Sequence, residues 1–175
     1  MDLPLPPDFK EFLRLLNSEA IEYLVVGGYA DAYQGYPRPT GDLDVWVATR
    51  PENAVKLVDT LAKFGFTDAD VTQALFLEPG RVVRMGVPPV RIELLTSVSG
   101  VEFSDCAARK VDAVLDGVPV AIIGRDDLIA NKLAAGRDRD RDDISRLRAR
   151  LDREKQLPVD EAVRIATVGP PKPVR

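Results

Sequence analysis

The chain has 175 residues, 45% hydrophobic and 30% charged, with a formal net charge of −4. This is the balance of a globular domain long enough to bury its own core, and its acidity argues against a protein coated in nucleic-acid-binding charge. The absence of histidine rules out Ser-His-Asp and Cys-His nucleophile systems and His-ligated zinc, leaving Asp, Glu, Lys or Tyr as any general base.

The one cysteine, Cys106, cannot form an internal disulfide, so a reducing cytosol is the expected compartment. Met1 to Pro7 carries neither the basic region nor the apolar stretch of a signal peptide or anchor, and no membrane partner is expected. In chain order, Asp8 is placed to cap a first helix bearing Phe9, Phe12, Leu13 and Leu16 at helical spacing, with Asn17-Ser18 ending it. Ile21 to Val26 reads as a buried strand. After Gly27-Gly28, the stretch Tyr29 to Tyr33 fits a short helix stopped by Gly35 and Pro37. Asp42 to Val47 alternates polar with apolar residues and is a second strand. Pro51 suits the first position of a helix with an Ala54, Leu57, Val58, Leu61 stripe, and Gly65 suits its end. Ala74 to Leu77, Val82 to Met85 and Val90 to Leu95 read as short strands, with a turn at Pro79-Gly80, followed by a short helix over 103–110. Val111 to Leu115 and Val118 to Ile123 flank Asp116-Gly117, a hairpin signal. From Arg125 the spacing predicts helices over 126–135, 140–152 and 159–167. The expected class is α/β (α+β): a mixed β-sheet core flanked by helices over 1–124, a helical segment packed on it over 125–168, and a disordered tail over 169–175.

The chemistry concentrates in three places. Asp42 and Asp44 stand at i and i+2 of a strand and project to one face, and Glu93 on a later strand can join them. Three hard oxygen donors beside a glycine turn suit Mg²⁺ and the phosphates of a nucleotide. The N–H groups following Gly27-Gly28 can bind phosphate oxygens, and a Cβ there would block close approach. Each element alone is commonplace: Gly-Gly is usually a turn, Asp-x-Asp usually a solvated face, and Arg91 can simply pair with Glu93. Their order and spacing together are specific.

The segments Val26-Gly27-Gly28-Tyr29-Ala30, Arg38-Pro39-Thr40-Gly41-Asp42-Leu43-Asp44 and Arg91-Ile92-Glu93-Leu94-Leu95-Thr96 resemble the nucleotidyltransferase (DNA polymerase β-like) superfamily. Within it, Asp127 to Lys132 and Gly136-Arg137 with Asp140 and Asp143 resemble small bacterial proteins related to AbiEii-type toxins. The resemblance spans about residues 8–150. It implies a catalytic and metal-binding triad of Asp42, Asp44 and Glu93 holding two Mg²⁺ or Mn²⁺ ions, with an NTP such as ATP as co-substrate. It implies that Gly27, Gly28, Arg38 and Lys132 hold the triphosphate, while Thr40 orients an aspartate or caps a turn. The chain departs from the pattern twice: the turn lacks a serine, and the third acid is Glu93 where aspartate is usual. Similar proteins use the Asp140/Asp143 region to pack the helices on the sheet. Tyr29, Tyr33, Tyr36 and Trp46 are base-stacking candidates, although aromatics so placed are more often core.

The resulting reading is an NTP-dependent, pyrophosphate-releasing nucleotidyltransferase acting on an acceptor hydroxyl. The toxin-like resemblance implies RNA (tRNA especially) or a protein as acceptor, and a cognate antitoxin as partner. The alternatives are transfer to a small molecule of the aminoglycoside or lincosamide type, and a non-catalytic nucleotide-binding module. Eight Lys/Arg against six Asp/Glu between Arg137 and Lys155 leave the charge of that segment indecisive.

Overall fold

The computed structural model describes residues 3–35 and 39–156. Its elements follow the chain as α1 (Pro7–Ser18), β1 (Tyr23–Val26), α2 (Gly27–Gln34), β2 (Asp42–Val47), α3 (Pro51–Phe64), β3 (Val82–Val87), β4 (Val90–Leu95), α4 (Phe103–Ala108), β5 (Val111–Leu115), β6 (Val118–Ile122), α5 (Arg125–Ala135) and α6 (Asp140–Gln156). The strands form one mixed sheet in the order β3-β4-β2-β1-β6-β5. The class is therefore α/β, a mixed sheet flanked by helices. No described helix is long and apolar enough to cross a membrane.

Local sequence explains most boundaries. Pro51 opens α3 where a missing N–H costs nothing, and Gly65 closes it in the left-handed conformation at φ 94°. Asp116 and Gly117 both take positive φ, 47° and 80°, the pairing that makes a two-residue hairpin turn between β5 and β6. Some expectations fail. Leu75–Leu77 is a 3-10 turn that buries Phe76, so its apolar run reflects anchoring of a loop rather than a strand. The cap of α1 is Pro6, with Asp8 inside the first turn. Strand β1 begins at Tyr23, and α2 begins at Gly27 itself. The expected helix over 159–167 and the tail over 169–175 lie outside the described residues.

The order of pairing positions the site. β1 runs antiparallel to β2, β2 parallel to β4, and β4 antiparallel to β3. Alternation along β2 sends Leu43, Val45 and Val47 to one face and Asp42, Asp44 and Trp46 to the other. Trp46 is buried edge-on against Phe103 of α4, with ring centroids 5.1 Å apart. One face of β2 is thus core at its C-terminal half and open at its aspartate half. Phe9, Phe12, Leu13 and Leu16 of α1 join Leu57 and Leu61 of α3 in the core cluster.

Candidate active site

The chain leaves β1 at Val26 and turns into α2 at Gly27, whose φ of +64° favours glycine. A Cβ on Gly27 would collide with the Asp44 carboxylate, and one on Gly28 with the Thr40 hydroxyl. The two glycines let the first turn of α2 lie directly against the aspartate strand. The N-terminal end of the helix, with its outward N–H groups, therefore adjoins Asp44. Thr40 donates to the Asp42 carbonyl at 3.3 Å, so it fixes the approach to β2 from beneath Gly28. Gly41 has a similar steric duty, since a Cβ there would come within 2.8 Å of the Pro89 carbonyl in the β3–β4 turn.

The parallel β2–β4 register sets Asp44 opposite Glu93 and Asp42 opposite Arg91. The pKa of Asp44 is raised to about 6 by burial and by the charges of Glu93 and Asp42. Arg137, which donates to Asp140 at 3.0 Å, pulls weakly in the opposite direction. Arg91 Nη2 lies 2.8 Å from Asp42 Oδ2 and 3.3 Å from Glu93 Oε1. Arg84, opposite Glu93 on β3, donates to the same Oε1 at 2.9 Å. Among the described residues, no three acidic, His or Cys side chains are gathered into a preformed metal cluster; Asp42 and Glu93 are turned onto arginines instead.

The donor set nevertheless fits a divalent cation. All three side chains are hard oxygen donors on neighbouring strands, and burial, with the charges of Glu93 and Asp42 beside it, raises the Asp44 pKa to about 6. A divalent ion would supply the missing positive charge. Asp42, Asp44 and Glu93 are the residues that would hold it.

Lys132 is held among carboxylates. It is 4% exposed, and its ammonium is 2.9 Å from Asp31 of α2, 3.4 Å from Asp140 and 3.3 Å from Asp143 of α6. Burial and three carboxylate contacts make its visible work the locking of α2 onto α5 and α6. Trp46 and Tyr29 are buried core residues, Tyr29 edge-on to Phe9, whereas Tyr33 is half-buried. Arg38 and Tyr36 lie outside the described residues. Arg84, Gly41 and Asp31 were not singled out from sequence. Register with Glu93 would have pointed to Arg84 had the β3 pairing been known.

A mixed six-stranded sheet flanked by helices is the fold shared with solved nucleotidyltransferases. The chain belongs to a family described as nucleotidyl transferases of unknown function (DUF2204), whose model matches residues 7–169. No curated protein gives a significant match. Among solved structures, the chain resembles the antibiotic-resistance factor ANT(2'')-Ia in solution, with TM-score 0.55 and 14% identity over 91% of this chain and 88% of that one. A crystal structure of ANT(2'')-Ia with adenylyl-2''-tobramycin gives TM-score 0.53 and 15% identity, covering 90% and 93%. A candidate nucleotidyltransferase from Thermotoga maritima gives the same score and identity, covering 83% and 91%. At these identities the likeness is one of fold.

Proposed function

We propose that the protein transfers a nucleoside monophosphate from an NTP to an acceptor hydroxyl, releasing pyrophosphate, with divalent metal bound by Asp42, Asp44 and Glu93. The observation that carries this reading is the seat of Asp44. Its carboxylate is pressed against Gly27 at the head of α2, lies opposite Glu93, and is raised to a pKa of about 6 by burial and by the charges of Glu93 and Asp42. A fold selected for stability alone has no reason to place three acids there.

In this reading the N–H groups at the start of α2 bind triphosphate oxygens, and Gly27 and Gly28 keep that approach clear. Arg38, four residues before Asp42 in the sequence, neutralises phosphate charge. Divalent ions, when bound, polarise the α-phosphate and offset the charge of the leaving pyrophosphate. Asp42 and Asp44 orient the reacting groups from β2, while Glu93 receives the acceptor proton from β4. Thr40 keeps the Asp42 backbone in place.

The acceptor class is where two readings diverge. An RNA hydroxyl, with a toxin-like role and a cognate antitoxin, is supported by the charge of α6. Asp140 and Asp143 are turned inward onto Lys132, leaving Arg141, Arg146, Arg148 and Arg153 exposed against Asp142 and Asp152. A small cationic acceptor is supported by the fold likeness to ANT(2'')-Ia, whose complex holds adenylyl-tobramycin, and by the acidic pI near 5.0. The test offers purified protein four α-labelled NTPs with Mg²⁺ or Mn²⁺, and total RNA, protein extract and an aminoglycoside panel as competing acceptors. Label in RNA supports the first reading and label in the aminoglycoside the second. Label in none of them, together with nucleotide binding by calorimetry, converts the protein to a non-catalytic binding module.

A further inference from the structure

Arg91 touches two of the three acids assigned to metal. The contact is imposed by register: Arg91 sits beside Asp42 across the β2–β4 pair, and Glu93, two residues on, shares its face. One terminal nitrogen bridges Asp42 Oδ2 at 2.8 Å and Glu93 Oε1 at 3.3 Å. A guanidinium there supplies the positive charge that a divalent ion would otherwise bring.

The bridge is built to let go. It uses a single nitrogen rather than the two-pronged fork that makes Arg–carboxylate pairs strong. Arg91 Nε is buried and makes no hydrogen bond, so the guanidinium is only partly satisfied. Its side chain is 29% exposed and that of Asp42 35%, and ion pairs so open to water contribute little. Glu93 keeps Arg84 at 2.9 Å if Arg91 departs. A planar guanidinium with free donors is well suited to a phosphate that comes within reach.

We propose that Arg91 is an internal counter-cation: it shields Asp42 and Glu93 from free divalent ions and exchanges onto the triphosphate when metal and nucleotide arrive together. This rests on the nucleotidyl-transfer reading of the site. Metal and nucleotide binding become coupled, and by linkage each tightens the other by the same factor. The protein then rejects free metal while accepting the metal–nucleotide pair.

The test measures Mn²⁺ binding from the loss of the free-ion EPR signal, with and without the non-hydrolysable α,β-methylene ATP. Wild type should bind Mn²⁺ weakly alone and at least about tenfold tighter with the analogue. Arg91→Gln should bind Mn²⁺ alone about fivefold to tenfold tighter than wild type and bind the analogue more weakly. Arg91→Lys should restore the weak affinity for free Mn²⁺. Arg84→Gln removes a charge from the same neighbourhood and should change free-Mn²⁺ affinity by less than about twofold. An Arg91→Gln protein with unchanged or weaker Mn²⁺ affinity overturns the proposal, as does an Arg84→Gln change of equal size. If Arg91→Gln fails to fold, the wild-type coupling decides: tightening of Mn²⁺ by the analogue of less than about threefold overturns the proposal. Wild type that binds neither Mn²⁺ nor the Mn²⁺–nucleotide pair removes the proposed function, and this inference falls with it.

Discussion

Two clusters in this molecule share a composition and differ in every consequence. Around Lys132, Asp31, Asp140 and Asp143 meet one ammonium in a buried, closed knot between α2, α5 and α6. At the open end of β2, Asp42 and Glu93 meet Arg91, Glu93 meets Arg84 as well, and Asp44 lies beside them with its pKa raised. The first removes its charges from water, a cost that geometry must offset. The second leaves like charges facing one another, which disfavours the folded chain and favours a cation. Three carboxylates around a cation therefore do not define a role; burial does.

The largest effects should come from removing the central charge of each. Lys132→Met strands buried carboxylates and should lower unfolding free energy by about 3–5 kcal/mol in urea titrations. Asp44→Asn should do the reverse to the fold while removing most of the activity. We expect about 10³-fold loss of transfer from α-labelled NTP, with a higher melting temperature for the metal-free protein. An Asp44→Asn protein that melts lower than wild type would mean the two clusters are alike after all.

The same contrast has a pH signature. Asp44 has a folded pKa of about 6, raised from 3.8, so the folded chain holds this proton more tightly than the unfolded chain. Its contribution is fully favourable below about pH 4, declines between about pH 4 and 6, and stays lost above. The decline attributable to Asp44 is about 2–3 kcal/mol. Asp44→Asn should remove it from a pH series of urea midpoints, and saturating Mn²⁺ should flatten it in wild type. A slope unaltered by Asp44→Asn would place the titration elsewhere.

Much of the open cluster was legible because it is written in short-range code. Strand alternation puts Asp42 and Asp44 on one face, and a Gly-Gly pair beside them has a steric reason that the Gly27–Asp44 contact makes concrete. Register was harder. Nothing local states that Glu93 lies opposite Asp44, or that Arg84 lies opposite Glu93, because strand order in a mixed sheet is decided by packing of the whole core. Lys132 shows the sharper limit. Its helix and its neighbours Asp140 and Asp143 were readable, but the partner that draws it inward is Asp31, 101 residues away. The apolar run at Leu75–Leu77 misled for a related reason, since Phe76 is core without belonging to a strand.

The smallest expected effect tests the difference most finely, by moving one methylene in each cluster. In the closed knot, Asp31→Glu lengthens a side chain 4% exposed and surrounded by protein, so overpacking should cost about 1–3 kcal/mol. In the open cluster, Glu93→Asp shortens a side chain that reaches Asp44 across one inter-strand gap and meets Arg84 in a partly solvated pair. Its stability should change by less than about 0.5 kcal/mol. Transfer should stay within about tenfold of wild type, because the charge remains and the strand keeps its register. Glu93→Gln keeps the length and removes the charge, and should cost about 10²-fold. If Asp and Gln at this position behave alike in the labelled-NTP assay, Glu93 serves only to pair with arginine, and the third acid of the site must be sought elsewhere.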